Sequence, residues 1–284
     1  MRIFRTTFLL VALTLLLMFM GQTIGGRNGM TLGLGIAICM NAFAYFFSDK
    51  IALASSGAQR VSREQVPRLY EVMERLAAKA RLPMPKLYLV PEAAPNAFAT
   101  GRNPQHASVA VTQGLLELMN DEELEGVIAH ELSHVRNYDI LISSVAATIA
   151  GAIVWIPRLG YWFGIGDRDD DGNRGSGILG LLLMILAPFG AMLLQLGLSR
   201  QREYSADETG ARMVGQPYGL ISALQKLGAY NQRIPTTSVS PSTSALCIVK
   251  PLFGSGTVSS LFSTHPPLEK RIQALREMTV TPQR

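Results

Sequence analysis

This sequence contains little charge for its length. Charged residues make up 17% of its 284 residues, whereas soluble domains carry about 25%. The deficit lies in four stretches that have no charged residue at all: 6–24, 28–48, 140–157 and 175–199. A helix needs about 20 apolar residues to cross the core of a bilayer. We therefore expect four transmembrane helices.

The stretch 6–24 also has the position of a cleaved signal peptide. Its apolar core is long, however, and no clear small-x-small cleavage site follows it. A second apolar stretch comes directly after it. We therefore interpret it as a membrane span.

Cysteine is scarce, and no cluster of basic residues is dense. Cys39 lies inside a predicted span and Cys247 in a polar segment, which excludes a disulfide framework. The formal net charge of +5 comes from dispersed residues. We therefore expect no nucleic acid among the partners of this chain.

The basic residues are distributed unevenly about the predicted spans. Of the 26 Lys and Arg residues, 22 lie before the first span or in the segments 49–139 and 200–284. The loop 166–175 instead holds four aspartates and two arginines. Because basic residues are enriched on the cytoplasmic side, both termini and both long polar segments are expected to be cytoplasmic.

The first polar segment shows a mixed pattern. Apolar residues recur at helical spacing over 64–82, and short strands are predicted at 85–90, 96–101 and 107–113. The second polar segment predicts helices over 199–215 and 265–278, separated by a long loop with one short strand at 245–249.

A further helix carries an unusual pair of histidines. It begins at Asn120 with Glu123 three residues later, the signature of a capping box. We expect it to run without a break through His134 and Asp139 into the third span. It contains the sequence VIAHELSHVRN at 127–137.

Residues four apart share one face of a helix, so His130 and His134 can direct two imidazole nitrogens at one point. With Glu131 they form H-E-x-x-H, a zinc motif in which the glutamate is the general base. Zinc lowers the pKa of a bound water to about 7, and the glutamate accepts its proton. The alternative is a pair of buried histidines bonded to the backbone.

A catalytic zinc needs three protein ligands. One class of zinc proteases supplies a third histidine six residues after the second, but Ile140 stands there. A carboxylate on another helix is then expected, and Glu203 lies where the predicted membrane hairpin returns to the same depth. Its position favours it over Glu208. The alternative is that Glu203 lies on a solvated helix face.

Two further carboxylates are candidates for orienting the histidines. Asp207 lies one helical turn after Glu203 and is expected to accept an N–H from a ligating histidine. Asp139 is a second candidate for such a contact. The alternative for Asp207 is again a solvated helix face.

Three motifs resemble one known family. HELSHVRNYD, EYSADETGA and STHPPLEKRI, in this order around four spans, are similar to the HtpX family of bacterial membrane-bound zinc metalloproteases, related to the CAAX prenyl proteases. The resemblance implies one Zn²⁺ per chain, held by His130, His134 and Glu203, with Glu131 catalytic. It also implies quality control of misfolded or damaged membrane proteins at the bacterial inner membrane, often under heat stress.

The resemblance implies roles for four more residues. His265 and Arg271 are expected to lie over the zinc and stabilise the oxyanion of the tetrahedral intermediate. Otherwise His265 caps the last helix and Arg271 is a surface charge. Asn96 and Phe98 belong to an expected edge strand with which an extended substrate pairs. Otherwise that strand simply closes a small sheet.

The expected architecture is a mainly α, multi-pass membrane protein: four transmembrane helices and a cytoplasmic zincin domain, gluzincin-like, with a small β-sheet. Residues 1–48 form two spans and 140–199 a membrane hairpin. Residues 49–139 carry the H-E-x-x-H helix, and 200–284 the third ligand. Membrane lipids and unfolded or membrane-protein substrates are the expected partners.

Two other functions compete with an endopeptidase that cuts cytoplasmic loops. An intramembrane protease of the site-2 type carries an Asp-Gly motif in a later span, but the one Asp-Gly pair here, at 171–172, lies in the acidic loop. A non-enzymatic metal-binding scaffold has no need of Glu131, which is present. Both features favour the endopeptidase.

Overall fold

The protein is mainly helical, with one small sheet. The computed structural model describes residues 2–145, 200–233 and 266–278. The predicted loop 235–262, with its strand at 245–249, lies outside the described residues. So does His265.

The N-terminal helix α1 (Arg2–Ser55) consists of two helices that meet at Gly25 and Gly26. Gly26 has a φ of 58°, a conformation that glycine adopts without steric cost. Asn41 on the second helix donates hydrogen bonds to the Leu10 carbonyl (3.2 Å) and the Thr14 hydroxyl (2.9 Å). The two helices therefore pack side by side as a hairpin.

Part of the expected membrane architecture falls within the described residues. There, the helix Gly25–Ser55 is long and apolar enough to cross a membrane, and the apolar helix Leu10–Phe19 is shorter. The second predicted span, 28–48, lies on the former. The predicted hairpin 140–199 lies outside the described residues beyond 145, so four spans stay a prediction.

The sheet has four strands, in the order β1–β2–β4–β3. β2 and β4 are parallel and the outer pairs are antiparallel. The three predicted strands are confirmed, and the two-residue β1 was not predicted. Their bounds are β1 (Gln59–Arg60), β2 (Lys86–Val90), β3 (Ala97–Thr100) and β4 (Ser108–Thr112).

The two faces of this sheet pack against different partners, because alternate strand residues point to opposite sides. Ala97 and Ala99 belong to the main core, which contains the buried residues of the helix that carries the two histidines. Phe98 packs instead with Ala52 and Leu53. The end of the candidate membrane span therefore packs on one face of the sheet, and the helices of the main core pack on the other.

Six further α-helices, a 3₁₀ helix at Pro104–His106 and the helical residues 139–145 complete the described fold. The predicted helices over 64–82, 199–215 and 265–278 are confirmed, whereas the helix at 218–233 was not predicted. The bounds are α2 (Pro67–Ala80), α3 (Gln113–Leu118), α4 (Asp121–Arg136), α5 (Arg200–Val214), α6 (Tyr218–Arg233) and α7 (Leu268–Glu277).

Helix α4 begins as predicted but ends earlier. The Asn120 side chain accepts from the Glu123 N–H, and the Glu123 side chain accepts from the Asn120 N–H, both at 2.9 Å. The expected unbroken run into the third span is wrong. The chain leaves the helix at Asn137, Tyr138 takes a left-handed φ of 59°, and residues 139–145 form a new helical segment. This turn allows Asp139 to approach His134.

Helices α4 and α6 cross closely at a pair of glycines. A Cβ atom on Gly126 would lie 2.5 Å from the backbone nitrogen of Leu220. Gly219 faces the backbone of Glu122 in the same way. Backbone atoms cannot move aside as a side-chain end can, so only glycine fits at this crossing.

Gly126→Ala should therefore destabilise the protein, by about 1–3 kcal/mol as overpacked cores do. The measurement is thermal unfolding in detergent. Gly228→Ala is the matched control, because its added Cβ meets only the end of the Leu268 side chain, at 3.0 Å. An unfolding temperature for Gly126→Ala equal to that of the control would contradict this account of the crossing.

Candidate metal centre

The two histidines of helix α4 point at a common position. Their Nε2 atoms lie 3.2 Å apart, as expected for side chains one helical turn apart. His130 is fully buried, and the His134 side chain is 16% exposed. The point between them is thus screened from water but retains an opening on the His134 side.

Glu203 of helix α5 completes a triangle with these nitrogens. Its Oε2 atom lies 3.6 Å from His130 Nε2, and its Oε1 atom lies 3.7 Å from His134 Nε2. Tetrahedral zinc with bonds of 2.0–2.1 Å holds its ligand atoms about 3.3 Å apart. The three residues therefore fit one such ion, and they form a metal-competent group among the described residues.

The outer nitrogens of both histidines face carboxylates. His130 Nδ1 lies 2.9 Å from Asp207 Oδ1, and His134 Nδ1 lies 3.4 Å from Asp139 Oδ2. A carboxylate at Nδ1 keeps the proton there and leaves Nε2 free to bind a metal. Both orienting residues predicted from the sequence are thus beside the histidines.

Arg271 of helix α7 contacts two of the acidic residues at this site. Its Nε and Nη2 atoms donate to the two carboxylate oxygens of Asp207, at 2.8 and 2.6 Å, and its Nη1 lies 3.5 Å from Glu203 Oε2. The residue is 1% exposed, so the alternative of a surface charge is wrong. These contacts favour positioning of the two acidic residues over contact with a substrate oxyanion.

The buried charges shift one another's pKa. Burial by itself would lower the pKa of His130, but its hydrogen bonds to Asp207 and Glu203 raise it to about 9. Burial would likewise raise the pKa of Asp207, but the charge and hydrogen bonds of Arg271 keep it below its usual value. Asp207 is therefore a charged acceptor, as its role toward His130 requires.

Four acidic residues lie buried around this site among the residues that the structure describes: Glu131, Asp139, Glu203 and Asp207. The guanidinium of Arg271 and the imidazole of His130, with its raised pKa, offset part of their charge. Buried charge without a partner is costly. A divalent cation at the His130–His134 point would offset the excess negative charge, a second sign that the site fits a metal.

Glu131 lies next to the ligand pair. Its Oε2 atom accepts a hydrogen bond of 2.8 Å from the N–H of Ala99 in strand β3. Burial raises the pKa of its carboxyl, although the neighbouring histidines act in the opposite direction. A carboxylate with a raised pKa is a better proton acceptor near neutral pH than an ordinary glutamate.

The remaining predicted residues are placed as follows. Asn96 precedes β3, and its main chain bonds to Thr112. The Phe98 side chain packs against the end of α1, which favours a packing role over substrate contact. Glu208 is exposed and pairs with Arg212, away from the ligand triangle. Glu203 and Asp207 are buried, so the solvated-face alternative for them is wrong.

Comparison with known proteins gives consistent matches over most of the chain. The model of Peptidase family M48 matches residues 62–279. A protease HtpX homolog of Syntrophobacter fumaroxidans is 50% identical over 279 residues, which are 97% of this chain and 99% of the relative. One of Desulfatibacillum aliphaticivorans is 53% identical over 276 residues, 95% of this chain and 88% of the relative.

A solved structure shares the fold. The crystal structure of S. mikatae Ste24p matches with a TM-score of 0.54 at 18% sequence identity. The match covers 92% of this chain but 62% of that one, so this chain spans less than two thirds of its length. The likeness concerns the fold alone.

Glu203→Ala should empty the metal site, because it removes one of three ligand atoms. Glu208→Ala is the matched control on the same helix, since Glu208 is exposed and bonds to Arg212 on the surface. Metal content per chain after dialysis measures both. A site emptied by Glu208→Ala and retained in Glu203→Ala would mean that the third ligand is misplaced.

Arg271→Ala should lower both unfolding temperature and metal occupancy, because Asp207 would keep a buried charge without its partner. Breaking such a pair costs about 3–5 kcal/mol. Arg271→Lys should rescue only part of the loss, since an ammonium cannot bond both oxygens of Asp207 in a planar fork. Arg276→Ala, exposed on the same helix, is the control. Full metal occupancy in Arg271→Ala would contradict the positioning role.

Proposed function

We propose a function for this chain, which belongs to peptidase family M48 and is a metalloprotease. It acts as a zinc-dependent endopeptidase that hydrolyses misfolded or damaged membrane proteins at the cytoplasmic face of the bacterial inner membrane. The observation that carries this proposal is the triangle of His130, His134 and Glu203, buried except on the His134 side, with Glu131 adjoining it.

One Zn²⁺ per chain is proposed at that triangle. Two imidazoles and a carboxylate are a ligand set used by catalytic zinc in proteases. When bound, zinc supplies a Lewis acid that polarises a peptide carbonyl and makes a water molecule more acidic. With three protein ligands, a catalytic zinc would keep one coordination position for these reactants.

The side chains of this chain have separate tasks in the proposed reaction. Glu131 accepts a proton from the attacking water and delivers it to the leaving amine. Asp207 and Asp139 hold the imidazoles in orientation. His265 is proposed to stabilise the developing oxyanion. Asn96 is proposed to contact the substrate chain beside strand β3.

The membrane placement is the second part of the proposal. We place two membrane-crossing helices in residues 1–48, the second of them on the helix Gly25–Ser55, and a membrane hairpin at 140–199 between the two protease segments 49–139 and 200–284. The distribution of Lys and Arg supports cytoplasmic termini and a cytoplasmic active site. The resemblance of the three sequence motifs to the HtpX family supports a role in quality control under stress.

Glu131→Gln should retain zinc and lose peptidase activity, because the metal ligands stay while the proton acceptor is removed. The assay is cleavage of an unfolded protein such as casein by detergent-solubilised protein, with a chelator added in parallel. Glu122→Gln, exposed on the same helix, is the matched control.

Three results would count against this function. Full activity in Glu131→Gln would remove the proposed general base. Activity that persists after complete removal of the metal would exclude zinc-dependent chemistry, and absence of cleavage by zinc-loaded wild-type protein would favour a metal-binding scaffold.

A further inference from the structure

The face of the sheet that carries Phe98 connects the catalytic centre to the candidate membrane span. Beyond the junction at Gly26, helix α1 continues without a break to Ser55, and its Ala52 and Leu53 pack on Phe98 and Ala110. Leu53 is five residues beyond the last uncharged residue of the span, about 8 Å along a helix. The sheet therefore packs on a stiff extension of the span.

The edge strand makes a second connection at its end. Arg102 lies over the ring of Phe46, with its guanidinium carbon 5.8 Å from the ring centre. Ala99, which bonds to Glu131, is three residues earlier. Three extended residues cover about 10 Å, so Glu131 lies a short distance from the residue that contacts the span.

The position of the membrane boundary follows from the surroundings of Phe46. Phe43, Phe46 and Phe47 are exposed large aromatic residues at one end of the apolar helix. Lys50 lies over Phe47, 5.1 Å from the ring centre. Tyrosine and tryptophan gather where a span meets the headgroups, and Lys and Arg lie beyond it on the cytoplasmic side, so Tyr45, which is 36% exposed, and Lys50 mark the boundary.

Helix α4 makes a third connection, to the predicted third span. His134 is six residues before Ile140, where the next uncharged stretch begins. Six residues span at most about 20 Å. Thr100 at the end of strand β3 also bonds through its hydroxyl to Ser144, at 2.7 Å and buried from solvent. The edge strand and the segment leading into the predicted third span are thus joined directly.

We infer that this protease cuts membrane-anchored polypeptides next to the bilayer, within the first few residues beyond a transmembrane segment. Three short connections place the ligand triangle about 10–20 Å from the boundary, which an extended substrate covers in about three to six residues. The inference rests on the proposed endopeptidase function and narrows its substrate class. A cleavage site that is held rigidly far from the bilayer lies out of reach of the active site.

The test uses a single-span protein whose cytoplasmic tail carries one cleavable segment, reconstituted with zinc-loaded full-length enzyme in liposomes. In one fusion the segment follows the span directly. In a second, a 20-residue EAAAK-type spacer lifts it by about 30 Å. In a third, a Gly/Ser spacer of equal length separates the two but allows the tail to fold back. The segment as a free peptide and Glu131→Gln enzyme are the controls.

We expect the direct fusion to be cut fastest and the rigid spacer to slow cleavage by about tenfold or more. A rigid linker that holds the segment away from the active site removes the high effective concentration of the segment there. The flexible spacer should recover much of the rate. Mass spectrometry locates each cut.

Equal rates for the direct and rigid fusions, together with cleavage of the free peptide, would overturn this inference and leave the proposed function intact. Absence of cleavage of the peptide and of every fusion by folded, zinc-loaded enzyme would overturn both.

Discussion

The buried ion pair between Arg271 and Asp207 joins parts of the chain that are far apart in sequence. Asp207 is on helix α5 and Arg271 is on helix α7. The Asp207 carboxylate also faces His130 on helix α4. Each of these two charged groups offsets the desolvation penalty of the other, because either one buried alone would leave a charge without a partner. The assembly of the three helices therefore brings the metal ligands together. Loss of either partner of the ion pair is expected to weaken metal binding.

Excess negative charge is the second constraint on this site. Arg271 and the His130 imidazole offset only part of the charge of the buried carboxylates, so negative charge remains around the point where two imidazole nitrogens meet. Binding of a divalent cation there offsets the remaining negative charge. Metal binding and folding of the surrounding helices are expected to be coupled, since the ligands come from helices that only tertiary packing brings together.

Local spacing was enough to predict a large part of this arrangement. His130 with His134 and Glu203 with Asp207 are each four residues apart, and helix geometry alone puts each pair on one face. The capping box at Asn120 is an equally local signal, and the structure bears it out.

Other features depend on contacts that local patterns do not encode. The partner of Arg271 is 64 residues away, and nothing in the spacing distinguishes a buried arginine from a surface one. The left-handed turn at Tyr138 is uncommon for a residue with a bulky side chain, so no sequence signal predicted the break. Helix α6 is different, because Leu220, Leu224 and Leu227 recur at helical spacing and could have been recognised.

The central claim is that two histidines and one glutamate hold a single zinc. X-ray absorption spectroscopy of the zinc-loaded full-length chain tests it most directly. We expect one zinc per chain, bound by two imidazole nitrogens and by oxygen, at about 2.0–2.2 Å. A shell of three or more imidazoles, or one containing sulfur at about 2.3 Å, would contradict the account. Such a shell would require His106, His265 or a cysteine in place of Glu203.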